Sequence, residues 1–244
     1  MPRMWTSVRR HWKPWLAGVI TLVLGVTVVA PFVFIHFIEG PPPASLSLGA
    51  STPAATARTA VAAASPSAPA ATNLSGTYAI ASGSEVEYRV TETLFGQSTT
   101  AVGISTTVKG SFTLQGTIVT AATFTVPLAT VHSNESLRDN QFDTRIMDVA
   151  DHPDAVFRLT SPVQLGSIPA VDAIVNEQVT GTLTMHGVTR SLAFTLQAEY
   201  TGASVKVSGS IPITFADWDI QNPSGGPAEV GDSGTMEFLL TLSR

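Results

Sequence analysis

Residues 179–200 read VTGTLTMHGVTRSLAFTLQAEY and predict two antiparallel β-strands joined by a tight turn at His186-Gly187. Apolar and polar residues alternate on both sides of the turn, the pattern of a sheet with one face in water and one face covered. A glycine in such a turn readily takes the positive φ that a hairpin requires. The apolar residues are Val179, Leu183, Met185, Leu192, Phe194, Leu196, Ala198 and Tyr200. Their face must contact either packed protein or a bound apolar molecule.

The same alternation recurs about eight or nine times between residues 75 and 244, at fairly even spacing. Even spacing with hairpin-like turns predicts a closed antiparallel barrel or a sandwich. One interval, residues 133–149, is charged and does not alternate, so it predicts one short helix with Ser133 or Asn134 as its N-cap. An eight-stranded barrel is either filled by side chains or able to hold one small ligand. The many small residues of this domain favour a cavity.

The N-terminal part of the chain predicts a membrane anchor. Residues 1–14 are basic, and residues 15–38 follow as 24 residues without a formal charge. As a helix these would reach about 36 Å, enough to cross a hydrocarbon core of roughly 30 Å. The basic flank predicts a single-pass protein of the cell membrane, with a cytoplasmic N-terminus and an extracytoplasmic C-terminal part. A cleaved signal peptide is disfavoured, because bulky residues occupy the position of its cleavage site.

Residues 39–74 are rich in Pro, Ala, Ser and Thr and carry only two charged residues, Glu39 and Arg58. Such a segment has too few large apolar groups to offset its ordering entropy, so it predicts a disordered linker. A flexible chain of this length spans roughly 30 to 35 Å on average. The folded domain then comprises residues 75–244.

The charge and cysteine content of the chain exclude several classes of function. Residues 75–244 contain eight basic and seventeen acidic residues, a formal charge of −9, which is unsuited to nucleic acid. The absence of cysteine excludes disulfides, thiolate chemistry and a lipidated cysteine anchor. No cofactor or metal is predicted, since the acidic cluster of residues 148–154 is more typical of a solvated turn than of a cation site.

No catalytic motif is visible, and the chain is predicted not to be an enzyme. Asp217 and Asp219 flank Trp218, and paired carboxylates can hydrolyse glycosides. Two surface acids at a strand end are far commoner than such a catalytic pair.

Four stretches together resemble the YceI-like family of polyisoprenoid-binding proteins, over nearly all of residues 76–244. The stretches are SEVEYRV, RDNQFDTRIMDVADHPDAVF, VTGTLTMHGVTRSLAFTL and SIPITFADWDI. Each stretch alone is weak evidence for the family, but the order of all four along the chain is specific. The sequence departs from the family pattern at Gly83, Gln141 and Asp219, where the family often has His, His and Gly. This leaves fewer histidines for contacts with a ligand head group.

The resemblance implies an extended antiparallel lipocalin-like β-barrel with one short helical insertion, which binds an isoprenoid, quinone, polyprenyl or similar amphiphilic lipid. It implies a long apolar cavity lined by Val86, Tyr88, Val90, Phe112, Phe124, Phe157, Leu183, Phe194, Leu196, Ile213, Phe215 and Phe238. Arg138 is a candidate for binding a polar or pyrophosphate head group, because guanidinium binds phosphate oxygens in pairs. The alternative is that Arg138 only pairs with Asp139 or Asp143 around the helix.

These observations predict a membrane-tethered, extracytoplasmic barrel that binds an apolar lipid without transforming it. The alternative is a barrel with a filled core that serves as an adhesion or protein-interaction module of the envelope. A structure distinguishes the two, since only the first requires an open interior.

Overall fold

The computed structural model describes residues 41–49, 73–94, 96–225 and 228–244. The predicted basic segment 1–14 and membrane span 15–38 lie outside the described residues, as does most of the predicted linker 39–74. No helix among the described residues has the length and hydrophobicity needed to cross a membrane.

The described part of the domain is almost entirely β-structure, which confirms the predicted fold class. The strands are β1 (Gly76–Ile80), β2 (Glu85–Leu94), β3 (Gln97–Ser105), β4 (Lys109–Gln115), β5 (Ile118–Pro127), β6 (Asp154–Leu159), β7 (Val163–Gln164), β8 (Ile174–Met185), β9 (Val188–Tyr200), β10 (Val205–Thr214), β11 (Ala228–Val230) and β12 (Ser233–Ser243). All of their pairings are antiparallel.

Eight strands form a closed barrel in the order β1-β4-β5-β6-β8-β9-β10-β12. The ring closes where β1 pairs with the end of β12, with Ile80 opposite Leu242. The earlier part of β12, residues 235–239, pairs instead with β2, which pairs with β3. A bridge between Ile104 of β3 and His132, shortly after β5, connects this second sheet segment back to the barrel. The wall is therefore extended by β2 and β3 at the end that carries the helix.

The hairpin predicted from residues 179–200 is confirmed as β8 and β9. The two strands pair from Ile174 opposite Glu199 to Met185 opposite Val188, without a break in register. His186 and Gly187 both have positive φ, at 50° and 75°, as a two-residue hairpin turn requires. The imidazole Nδ1 of His186 lies 2.9 Å from the carbonyl oxygen of Trp218, which fixes the turn on the neighbouring 3-10 turn.

Strand β3 was not among the predicted strands. Three consecutive residues, Ala101, Val102 and Gly103, are buried, so both faces of the strand are covered. A strand covered on both faces lacks the alternation from which the other strands were predicted.

The predicted helical insertion is present, but it starts later than predicted. It consists of α1 (Ser136–Gln141) and a π-helical turn (Phe142–Ile146). Glu135 takes the N-cap position, without a side-chain cap. Ser133 instead donates a hydrogen bond to Asp139 Oδ1 at 2.7 Å, which ties the loop before α1 to the helix.

Residues 41–49 lie against the outer face of the barrel, which differs from the disordered linker predicted for this part of the chain. Arg89 Nη2 on β2 donates a hydrogen bond to the carbonyl oxygen of Pro43 at 2.6 Å. The backbone NH of Leu46 donates to Glu237 Oε2 at 3.0 Å, and that of Leu48 donates to Ser208 Oγ at 3.3 Å. These bonds place the segment across β2, β12 and β10.

A buried carboxylate lies on the same face of the barrel as this segment. The Glu87 side chain is fully buried, and its Oε1 pairs with Arg89 Nη1 at 2.7 Å. Burial raises the pKa of Glu87, and the nearby carboxylate of Glu237 adds to this effect, while Arg89 opposes it.

Candidate functional site

The inward side chains of the barrel leave an apolar cavity of about 190 Å³. Its lining comes from strands all around the ring and is almost wholly aliphatic and aromatic. Glu177 and Glu199 are the only charged residues that line it in the described part of the chain. We call this the apolar cavity.

Three phenylalanines from alternate strands meet across the apolar cavity. Phe157 of β6 and Phe194 of β9 lie edge to face, with ring centroids 5.8 Å apart. Phe194 and Phe238 of β12 repeat this arrangement at 5.9 Å. Such geometry is favourable for aromatic pairs. The rings therefore build a continuous aromatic part of the wall.

Glycines on the intervening strands let two of these rings lie close to the wall. Phe157 packs on Gly181 of β8, and Phe238 packs on Gly209 of β10. A Cβ at Gly209 would lie 2.5 Å from the ring of Phe238, and one at Gly181 would overlap the ring of Phe157. Any other residue at these positions would push the rings into the lumen.

A second and larger cavity, of about 620 Å³, lies at the end of the barrel covered by α1 and the π-helical turn. We call it the helix-side cavity. Tyr88 of β2 stacks on Phe142 of the π-helical turn, with ring centroids 5.3 Å apart and planes 11° from parallel. The volume lies within the usual range of about 300 to 1,000 Å³ for small-molecule sites.

The two cavities adjoin, because four residues line both of them: Val86, Val126, Ala155 and Met236. The described residues therefore leave space in two neighbouring regions of the barrel interior, which favours the predicted cavity over a filled core.

A buried ion pair lies in the helix-side cavity. Arg138 Nη2 of α1 lies 3.0 Å from Glu92 Oε1 of β2, and both side chains are largely buried. Arg138 Nη1 also donates a hydrogen bond to Asn134 Oδ1 at 2.8 Å. Arg138 is thus held by partners from two parts of the chain, and the ion pair is made with Glu92 of β2 instead of the predicted Asp139 or Asp143. Its contact with a head group stays a prediction.

Tyr88 provides a neutral polar group next to this ion pair. Burial raises the pKa of Tyr88 to about 12, with Asp139 and Glu92 adding to the effect and Arg138 opposing it. Its hydroxyl is therefore protonated at any physiological pH.

All twelve predicted lining residues border one of the two cavities. The apolar cavity is lined by Val86, Phe112, Phe124, Phe157, Leu183, Phe194, Leu196 and Phe238. The helix-side cavity is lined by Val86, Tyr88, Val90, Ile213 and Phe215, and by Arg138. Contact of these residues with a ligand stays a prediction.

Several residues of the helix-side cavity were not predicted as lining residues from the sequence, including Glu92, Gln141 and Phe142. Glu92 could have been found, since it continues the inward series of Tyr88 and Val90 along β2. The position of Gln141 and Phe142 depends on how the helical insertion folds over the barrel. The spacing of apolar residues in the sequence does not indicate this.

The residues weighed for other chemistry lie elsewhere. Asp217 and Asp219 are exposed and line neither cavity, and Asp219 follows the short 3-10 turn (Phe215–Trp218) with a φ of 55°. They do not continue the alternation of β10, because that strand ends at Thr214.

The fold is shared with solved structures. A polyisoprenoid binding domain from Saccharophagus degradans, implicated in plant cell wall breakdown, superposes with a TM-score of 0.56 at 15% identity, covering 69% of this chain and 98% of that one. BcnA of Burkholderia cenocepacia superposes with a TM-score of 0.51 at 16% identity, covering 65% and 95%. Curated protein sequences give no significant match.

The family can be assigned from the sequence itself. Residues 78–242, more than half of the chain, match the family model of the YceI-like domain. This range contains the closed barrel, the helical insertion and nearly all the residues that line the two cavities. The chain therefore belongs to the YceI-like family.

Proposed function

We propose that this protein binds an isoprenoid or similar amphiphilic lipid in its two adjoining cavities, and holds or carries that lipid without chemically changing it. The observation that carries the proposal is the space inside the barrel, where a nearly uncharged apolar cavity adjoins a larger cavity with polar groups. Burying hydrocarbon contributes about 0.8 kcal/mol per CH2 group, or roughly 4 kcal/mol for each five-carbon unit. A chain of a few units therefore needs no elaborate polar site.

The relatives support this choice of ligand. The Saccharophagus degradans domain with the same fold is described as polyisoprenoid binding. A flexible chain of linked five-carbon units could occupy both adjoining cavities.

We place the protein at the outer face of the cell membrane, held by residues 15–38 as an uncleaved helix. The proposal rests on the length of this uncharged stretch and on the basic residues before it. Anchoring a lipid-binding barrel beside the bilayer raises its effective concentration near lipids that reside there.

Photocrosslinking tests the binding site. The full chain is reconstituted in lipid nanodiscs with a diazirine derivative of geranylgeraniol, irradiated and digested, and the modified residues are located by mass spectrometry. We expect modification of the inward residues of β5, β9 and β12. Modification confined to the outer surface, or its absence from the barrel, would refute the proposal.

A matched pair of variants on β9 gives the control. Ala198 lines the apolar cavity, whereas Ala193 is exposed on the outer face of the same strand. Ala198→Phe should block the cavity and strongly reduce crosslinking, while Ala193→Phe should leave it unchanged. Equal effects of both substitutions would show that the cavity is not the site.

A further inference from the structure

The charges that line the cavities distinguish between classes of lipid head group. Glu87 borders the helix-side cavity, but its carboxylate pairs with Arg89 on the outer face of the barrel. The other charged residues that border this cavity in the described part of the chain are Glu92, Glu135, Arg138 and Arg145. Two acidic residues thus balance two basic ones. An anionic head group would therefore enter a site without excess positive charge.

Neither arginine forms a buried phosphate site. Arg138 is paired with Glu92 and bonded to Asn134. Arg145 is exposed to solvent, where water and salt screen its attraction for an anion. A phosphate that took Arg138 would leave the carboxylate of Glu92 buried without its cation, which is strongly unfavourable.

The other end of the interior is no better suited to an anion. Glu177 and Glu199 line the apolar cavity, and no lysine or arginine lines it in the described part of the chain. An anionic head group is therefore disfavoured in either orientation of the lipid.

Neutral hydrogen-bonding groups are present in the helix-side cavity. The hydroxyl of Tyr88 is protonated, and Gln141 supplies an amide that makes no hydrogen bond to the described residues. An amide and a phenol can bind a hydroxyl or carbonyl oxygen without adding charge.

From this arrangement we infer that the cavity selects lipids with a neutral head group, such as an isoprenoid alcohol or quinone, over lipids that end in a phosphate or diphosphate. The inference rests on the proposed lipid-binding function. In the helix-side cavity, the Arg138–Glu92 ion pair determines this selectivity, because it presents no net charge to the ligand.

The test is a competition experiment with two lipids that share one tail. The full chain in phosphatidylcholine nanodiscs is crosslinked by diazirine-tagged geranylgeraniol in the presence of unlabelled geranylgeraniol or geranylgeranyl diphosphate. After correction for partitioning into the bilayer, we expect the diphosphate to compete at least about tenfold more weakly, since a buried anion without a free counter-cation loses its hydration without compensation. Equal or stronger competition by the diphosphate would overturn the inference.

Substitutions of the ion pair sharpen the test. The quantity compared is the inhibitory concentration of the diphosphate divided by that of the alcohol. Partitioning into the bilayer affects this ratio equally in every variant, so it cancels in the comparison. Glu92→Gln should lower the diphosphate-to-alcohol ratio about tenfold, since Arg138 then lacks its carboxylate. Arg138→Gln should raise the ratio, and it serves as the second variant if Glu92→Gln fails to fold. Glu229→Gln removes an exposed charge from the neighbouring β11 and should leave the ratio unchanged.

The outcomes separate the two proposals. An unchanged ratio in Glu92→Gln and Arg138→Gln would refute the selecting role of the ion pair while leaving lipid binding intact. Failure of both lipids to compete would refute the lipid-binding function and this inference with it.

Discussion

Two leucines on β12 provide a direct test of which part of the barrel interior is open. Leu240 and Leu242 both point inward and are both nearly inaccessible to solvent, at 4% and 0%. Leu240 lines the apolar cavity, whereas Leu242 packs among Leu74, Tyr78 and Leu114 and lines neither cavity. Replacing each by alanine removes the same atoms from different surroundings.

The expected losses of stability differ because only one substitution creates a new void in packed protein. Leu→Ala removes three carbon atoms, worth about 2.4 kcal/mol in transfer free energy. At Leu242 the new void adds a further cost, for a total of about 4 kcal/mol. At Leu240 the lost atoms already border empty space, so we expect about 2.5 kcal/mol.

Pulse proteolysis in urea, applied to the full chain in detergent, measures the difference. With a slope of about 2 kcal/mol per molar urea, the midpoint should fall by about 2 M for Leu242→Ala and by about 1.2 M for Leu240→Ala. Equal shifts, or a larger shift for Leu240→Ala, would mean that the apolar cavity is filled in solution and would refute the reasoning.

Two further substitutions test the wall and its outer face. Gly181→Ala should lower the free energy of unfolding by about 1 to 3 kcal/mol, because the new Cβ would lie 2.5 Å from the carbonyl oxygen of Arg158; an unchanged urea midpoint would contradict this. Burial raises the pKa of Glu87 above its ordinary 4.5, so the folded chain binds this proton more tightly than the unfolded chain does. The free energy of unfolding should therefore fall as the pH rises from about 4.5 through the raised pKa. Glu87→Gln should remove this slope in urea midpoints measured at about pH 4.5, 5.5 and 7, and an unaltered slope would assign it to other groups.

The sequence predicts those parts of the fold in which one face of a strand is buried and the other is exposed to solvent. The β8–β9 hairpin and the cavity-lining phenylalanines follow from period-two alternation, since inward positions of a barrel recur at every second residue. Strand β3 escapes this reasoning because Ala101 to Gly103 are buried on both faces. The cavity walls were thus largely predictable from local pattern.

The ends of the cavities were less predictable, because they depend on contacts between distant segments. The pairing of Glu92 with Arg138 joins residues 46 positions apart, and neither residue type alone indicates it. The position of residues 41–49 has a weak local signal, the alternation of Ser and Leu at residues 45–48. Its partners, Arg89, Glu237 and Ser208, lie far away in the sequence.

The attachment of residues 41–49 to the barrel determines how closely the barrel approaches a bilayer. Pro43, hydrogen-bonded to Arg89, follows the end of the proposed membrane helix at Ile38 by five residues, a reach of at most about 18 Å. The segment then runs away from the helix-bearing end, since β2 continues from Arg89 to Leu94 at the helix-side cavity. If residues 15–38 cross the membrane as we propose, the end of the barrel that carries α1 is directed toward the lipid, and the exposed Leu137 on α1 faces the bilayer. A hydrophobic molecule could then move between bilayer and protein with little passage through water.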